Sequence, residues 1–414
     1  MSYDIEALRR AEFPWAARGE AVYLNNASTG PLPARTVAAV TEFVARRAEP
    51  HRIADAELFA TLARVRTLAA GLIGADAGEI ACMPNTTYGL NFAARALPLG
   101  AGDVVLTFDG EFPANVYPWM ALAERGIQLE LLPSTPDGLP DEAALMRAIA
   151  ERDDVCAVTV SWVQFTSGYR VDLAAIGAAC RARGIWFVVD AIQGLGACTL
   201  DVQTTPIDVF ACGGQKWLLA PWGTGFIYVR RELVPRLAPQ DVGWLAVRGG
   251  DDFARLTDYD YTLRDDARRF EVLTLPFHDF AGLAASLDLL HTLGPGAVAG
   301  EITARAEQIV TWAASRDDVG LVTPANPEHR AGIVSLRLPA PAAASARLRA
   351  AGIAHSVREG AVRLSPHGYN TPADVDRALT VLDEHLHQRH APAHLPSDQH
   401  APDQDALAQR SFSR

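Results

Sequence analysis

The strongest constraint on this 414-residue chain is an alternation of short apolar runs with helical periodicities between residues 79 and 229. Strand-like runs occupy 79–83, 103–108, 127–132, 155–161, 185–190, 207–211 and 225–229. Helix-like runs lie between several of them, at 87–97, 114–124, 141–150 and 172–183. Strands alternating with helices imply βαβ units and a mostly parallel sheet. The loops at the carboxyl ends of such strands form the site. Residues 35–49 and 55–73 carry helical spacing (Val37, Val40, Val44; Leu58, Leu62, Val65, Leu68, Leu72). After about residue 275 the character changes, with helix-like runs at 277–292 and 298–315, strand candidates at 332–338, 353–357 and 361–365, and a closing helix at 372–388. The expected fold is α/β. An N-terminal arm (1–20) packs with the small domain. A large domain (21–275) has a mostly parallel sheet flanked by helices, and a smaller α+β domain covers 276–390. The polar, Pro-rich segment 391–414 has little to bury and reads as a disordered tail.

Composition removes several classes of function. The net charge is −12, and the 36 arginines are scattered rather than gathered on one face, which argues against nucleic acid. The five cysteines all lie at or before Cys212 and form no CxxC pair, as expected of reduced thiols in a cytoplasmic protein. The N-terminus has no apolar signal core, and the apolar runs are broken well short of a membrane span.

Lys216 is the only lysine in the sequence. A chain that keeps one lysine among so many arginines needs an amine that a guanidinium cannot replace, since only the amine loses its proton and condenses with an aldehyde. Chance survival in an arginine-rich composition is the alternative. The neighbours argue against it: Cys212-Gly213-Gly214-Gln215 precedes the lysine and Trp217-Leu218-Leu219 follows it, which is poor company for a surface lysine. Asp190 ends the run Ile185 to Val189. A carboxylate there needs a cationic partner, either an arginine or the protonated ring nitrogen of pyridoxal phosphate. Gln193 follows and is able to donate to a ring oxygen. Thr86-Thr87 opens a helix whose free amides suit a phosphate, although threonine is also a common cap. Arg363, in Arg363-Leu364-Ser365-Pro366-His367, reads either as a grip on a substrate carboxylate or as a surface ion pair.

With these residues assembled, the chain resembles the class V aminotransferase family of fold-type I pyridoxal-phosphate enzymes, in its isopenicillin-N-epimerase-like, cysteine-desulfurase-like and ergothioneine C–S lyase-like branch. The resemblance spans about Tyr23 to Leu386. It is carried by VVDAIQGLG (188–196), GGQKWLLAPWGTGFIYV (213–229), NTTYGLN (85–91), RFEVLT (269–274) and RLSPHGYNT (363–371). It implies that Lys216 forms the Schiff base, Asp190 pairs with the ring nitrogen and Gln193 meets the phenolic oxygen. Thr87 and the amide of Thr86 would hold the phosphate. Thr274 would reach the phosphate of a neighbouring subunit, which implies a homodimer with shared sites. Arg363 matches the α-carboxylate arginine, and Phe112 stands where many members stack a histidine on the ring.

Several positions depart from the family. Gly213 and Gln215 replace the Ser and His of Ser-x-His-Lys, and Gln215 remains able to donate to phosphate. Gln164-Phe165 replaces Ser-Asn. The absence of a cysteine after Cys212 removes the persulfide residue expected of a cysteine desulfurase. The resulting expectation is an enzyme for an α-amino acid in which Lys216 takes the α-proton. C–S β-elimination is favoured, with transamination, epimerisation and a non-catalytic cofactor-binding partner as alternatives. His367, His278 and His51 are candidate second acid–base groups, with a capping role the commoner fate of each. Asn26, with Tyr23 and Asn25, is a candidate for the substrate mouth.

Overall fold

The computed structural model describes residues 3–272 and 274–390; the segment read as a tail lies outside them. A short strand β1 (Val22–Tyr23) precedes a seven-stranded sheet. Its strands are β2 (Ile80–Met83), β3 (Val104–Phe108), β4 (Gln128–Leu132), β5 (Val155–Ser161), β6 (Trp186–Asp190), β7 (Val209–Gly213) and β8 (Gly225–Val229). The order across the sheet is β2-β8-β7-β6-β5-β3-β4. Every neighbouring pair is parallel except those made by β8, which runs antiparallel to β7 and β2. The mostly parallel sheet read from the sequence is therefore present.

Both faces of the sheet are covered, so successive side chains enter different cores. Phe187 and Val189 join one apolar cluster and Val188 the other; Phe210 and Cys212 divide from Val209 and Ala211 in the same way. Each fully buried aliphatic side chain contributes roughly 1.5–3 kcal/mol of transfer free energy. Helix Thr86–Ala96 lies on one face; helices Asp55–Ile73, Leu173–Arg183 and Phe277–Leu293 bury residues into the other. The expected helix at 114–124 is broken into a single α-turn, Tyr117–Met120, between 3-10 turns. Pro113 and Pro118 account for the break, since neither supplies an N–H.

The C-terminal part forms a four-stranded antiparallel sheet. It contains β9 (Gly320–Leu321), β10 (Val334–Arg337), β12 (Ser356–Arg358) and β13 (Ala361–Leu364), in the order β12-β13-β10-β9. Strand β11 (Ile353–Ala354) pairs instead with β1, in parallel, and so ties the N-terminal segment to this part. Helix Phe277–Leu293, assigned by sequence to the C-terminal domain, packs mainly on helices Ala34–Arg47 and Asp55–Ile73 of the large one. The arm packs through Leu8, Phe13 and Ala16 on Tyr369, Leu219 and Leu289. Arg9 pairs with Asp374 at 2.6 Å. Among the described residues no helix is long and apolar enough to cross a membrane.

Candidate active site

Strands β5, β6 and β7 end together. Ser161 is in register with Asp190, and Asp190 with Ala211. Asp190 is 2% exposed, and its Oδ1 accepts the Ile192 N–H at 3.0 Å. Burial pushes its carboxyl up to about 6. The Ile192 N–H and Lys216 oppose that rise, and Glu111 adds to it. Lys216 follows the turn after β7. Burial lowers its amine to about 8; Asp190 works against the fall, while Arg363 and Arg358 deepen it. The Lys216 Nζ lies 5.7 Å from the centre of the Phe112 ring.

The backbone around this lysine is held carbonyl by carbonyl. The Gly30 N–H donates to Gln215 O at 2.8 Å and the Leu219 N–H to Lys216 O at 3.1 Å. His367 Nε2 bonds Trp217 O at 3.0 Å, and Ser286 Oγ donates to Leu219 O at 2.8 Å. Leu219 sits in the left-handed region at φ 55°, an uncommon state for a branched side chain. Gly30 is required by close approach, since a Cβ there would lie 2.2 Å from Lys216 O.

The corner expected to hold the phosphate lies at the start of helix Thr86–Ala96. Asn85 caps it, its Oδ1 accepting the Tyr88 N–H at 2.9 Å. Thr86 Oγ1 accepts the Gly213 N–H at 2.8 Å, fastening the helix to the end of β7. Thr87 is exposed, and the Thr86 and Thr87 amides make no hydrogen bond among the described residues. Beside them Gln215 Oε1 is buried with no partner. A Cβ on Gly213 would sit 2.5 Å from that oxygen, so the glutamine fills the space that a larger residue at 213 would take. Thr274 is exposed and makes no hydrogen bond to this corner of its own chain.

The other expected residues fall into two groups. Arg363 is 1% exposed and donates to Ser356 Oγ (3.0 Å), Phe165 O (2.6 Å) and Ser28 Oγ (2.9 Å). No carboxylate pairs with it among the described residues, and burial lowers it to about 10. Phe112 meets Phe165 edge-on, with ring centres 5.2 Å apart. Gln164 Nε2 donates to Glu111 at 2.7 Å. Gln193 is held at both ends, donating to Ala27 O and accepting from Trp217 Nε1, each at 2.9 Å; one amide N–H remains.

Asn26 and His367 are both buried, with their polar atoms engaged by the protein. Asn26 has no exposed surface; it donates to Ser365 O at 2.8 Å and accepts the Tyr369 hydroxyl at 3.0 Å. His367 Nδ1 accepts the Gly368 N–H at 2.8 Å, which places the proton on Nε2 for Trp217 O. Its ring stacks between Trp217 and Tyr369, and burial lowers it to about 4, so it is neutral. Both residues clasp the 365–370 segment to the rest of the site. His278 and His51 stand beside Asp279 and Glu49 near helix starts. Cys212 is buried and its thiol is pushed up by desolvation.

The comparisons with known proteins fit this geometry. The family model for aminotransferase class V matches residues 22–378. The chain belongs to the class V aminotransferase family. It is 32% identical over 382 residues to isopenicillin N epimerase of Streptomyces clavuligerus, covering 87% of this chain and 94% of that one. It is 30% identical over 321 residues to a probable cysteine desulfurase of Methanothermobacter thermautotrophicus, covering 77% and 78%. Among solved structures, the apo cysteine desulfurase of Thermococcus onnurineus NA1 superposes with a TM-score of 0.82 at 23% identity, covering 94% of this chain and all of that one. A cystine C–S lyase in complex with its product cysteine persulfide gives 0.80 at 24%, covering 90% and 99%. This class V chain is thus a pyridoxal-phosphate-dependent enzyme with the fold-type I architecture. The residues present fit the cofactor: two free helix amides at one end, a buried carboxylate at the other, and the one amine between them.

Three residues escaped the sequence reading: Arg358, Ser28 and Glu111. Arg358 Nη2 approaches Ser28 Oγ at 3.4 Å, the hydroxyl that Arg363 also holds. The signal for it was present. Glu359 and Gly360 both have positive φ, which makes the tight hairpin turn of β12 and β13. Arg363 faces Ser356 across the pair, and Arg358 lies two residues from Ser356, so both arginines share one face.

Proposed function

We propose that this enzyme removes the α-proton of an amino acid with Lys216 and expels a β-substituent through sulfur, as a C–S β-lyase. The observation that carries the reading is the set of proton-moving groups at the site. Lys216 is the only amine, it is lowered to about 8, and Phe112 and Phe165 form an aromatic wall beside it. Bound pyridoxal phosphate supplies the sink for the electrons left at the α-carbon. Asp190 holds the ring end of the pocket, and Thr86, Thr87 and Gln215 hold the phosphate end. Arg363, with Arg358 beside it, takes the substrate carboxylate, since a buried guanidinium without a carboxylate is a vacant anion site.

In the elimination, the Cα–H and Cβ–S bonds break, the proton passes to Lys216 Nζ and the sulfur leaves as a thiolate that takes up a proton. Water then releases a 2-oxo acid and ammonia. One base suffices for this sequence. No thiol stands ready to accept the sulfur, because no cysteine follows Cys212 and Cys212 is buried. The likeness to isopenicillin N epimerase favours inversion at the α-carbon as a second reading. Inversion requires a second proton donor on the opposite face, and neither Phe112 nor Phe165 beside Lys216 is able to serve as one. The working form is proposed to be a cytoplasmic homodimer, with Thr274 completing the partner's phosphate corner.

The test offers candidate amino acids to the purified enzyme. Thiol and 2-oxo acid formed without an added keto acid support the lyase. A strict need for a keto-acid partner, or racemised substrate alone, overturns it. Lys216→Ala should abolish turnover and the covalent absorbance of the cofactor while keeping the fold.

A further inference from the structure

We propose that Glu111 is a positioning residue: a second buried negative charge beside Asp190 that orients Ser161 and Gln164 and makes the pocket a tighter holder of the cofactor's protonated ring. This rests on pyridoxal phosphate as the cofactor and is independent of the reaction type.

Glu111 follows β3 and is 7% exposed. A carboxylate so placed needs a cation or a full set of donors. No arginine, lysine or histidine pairs with it among the described residues; donors take their place. Oε1 accepts the Ser161 N–H at 2.8 Å and Gln164 Nε2 at 2.7 Å. Oε2 accepts the Ser161 hydroxyl in a short bond and Asn115 Nδ2 at 3.3 Å. Asn115 is itself oriented by Thr159, whose hydroxyl donates to Asn115 Oδ1 at 2.6 Å. Each oxygen thus receives two donors, and these four hydrogen bonds oppose the rise that burial imposes on the Glu111 carboxyl and favour its ionised form.

The second fact is where this charge lies. Ser161, which gives Glu111 two of its four bonds, is the register partner of Asp190 on the adjoining strand. Trp162 N–H, the next donor along, bonds the carbonyl of Asp190 at 2.9 Å. Two carboxylates therefore stand at neighbouring strand ends, and Glu111 adds to the rise of the Asp190 carboxyl. Without cofactor, Lys216 is the one cation among the described residues that opposes their repulsion and desolvation, beside the hydrogen bonds from Ile192 to Asp190 and from Ser161, Gln164 and Asn115 to Glu111. A protonated ring nitrogen meeting Asp190 is the cation that relieves them. The chain thus trades stability of the empty protein for grip on a charged ring. Through Gln164 Nε2 the same carboxylate fixes the side chain that replaces the family's serine.

The experiment uses the full chain with Glu111→Gln, which keeps the shape and removes the charge. Two quantities are measured: the melting midpoint of the cofactor-free protein, and the dissociation constant for pyridoxal phosphate from quenching of tryptophan fluorescence. The expected result is a cofactor-free midpoint at or above that of the parent, together with binding weakened about tenfold or more. Opposite movement of the two readouts is what a merely structural role would not produce. Ser161→Ala, which removes one donor and keeps the charge, should lower the midpoint and leave affinity within a few-fold. Unchanged affinity in Glu111→Gln overturns the proposal. So does a midpoint that falls together with affinity, or a Ser161→Ala protein that reproduces the affinity loss.

Discussion

Gly213→Ala asks whether the phosphate corner is set by Gln215. A Cβ at 213 would stand 2.5 Å from Gln215 Oε1 and 3.1 Å from Thr86 Oγ1. The first contact is too short to persist, but its far partner is the end of a flexible side chain. Gln215 therefore swings aside, and the fold loses less than about 1 kcal/mol, below the roughly 1–3 kcal/mol typical of an overpacked core. The cofactor loses the hydrogen bond that Gln215 Nε2 would donate to its charged phosphate, about 1.5–3 kcal/mol, which corresponds to about a 10- to 100-fold rise in dissociation constant. Gln215→Ala removes the same bond directly. The double variant should then be no weaker than either single one, a coupling expected when two substitutions act through one group. The assay is cofactor titration of all four proteins beside denaturant unfolding of their cofactor-free forms. Additive losses in affinity would refute the argument, as would a Gly213→Ala protein whose whole deficit appears in unfolding.

Arg363→Lys should raise KM for the amino acid about 10- to 100-fold, because a point charge cannot replace a fork held by three partners; the cofactor absorbance should be unchanged. The rate of covalent cofactor loading should climb as pH rises through about 8, since the neutral Lys216 amine is the reactive form; a midpoint near the ordinary 10.5 would count against its burial. The same shift has a sign in stability. Between about pH 8 and 10.5 the unfolded chain holds the Lys216 proton that the folded chain has released, so cofactor-free stability from this group rises with pH there. Asp190 acts oppositely: raised from 3.8 to about 6 when folded, its contribution falls as pH climbs across that window. Gly30→Ala meets a backbone oxygen at 2.2 Å rather than a flexible end. It should cost about 1–3 kcal/mol or more in denaturant unfolding and slow cofactor loading by moving Lys216.

The chemistry of the site was more legible in the sequence than its support. Lys216 was conspicuous as the one amine, and Asp190 as a carboxylate closing an apolar strand, because both break the composition around them. Asn26 and His367 could not be placed from sequence because a polar residue in a loop looks the same whether it faces substrate or is buried. Only the tertiary partners, Ser365 and Tyr369 for one and Trp217 and Gly368 for the other, show that their polar atoms are already used. Glu111 was invisible for the same reason, its donors lying 50 or more residues away except for Asn115. Helix Pro341–Ala350 was missed because its Ala-rich sequence carries little periodic contrast. The pairing of β1 with β11 joins segments more than 300 residues apart through two residues each, too short for any periodicity to register.

The departures from the family make most sense in pairs. Gly213 and Gln215 exchange volume across 2.5 Å, so either one alone would leave a gap or a clash. Phe112 and Phe165 replace two polar residues and meet each other edge-on. One aromatic substitution would have left a polar group facing an apolar ring; two together make a continuous wall. That wall lies beside Lys216 Nζ and on the main chain that Arg363 grips. Neither phenylalanine has a proton to hand to a substrate. Reactions that return a proton to the face from which Lys216 removed it, or that discharge the electrons by expelling a leaving group, need nothing there. Inversion does, and an apolar pair at 112 and 165 is therefore what favours the elimination proposed above.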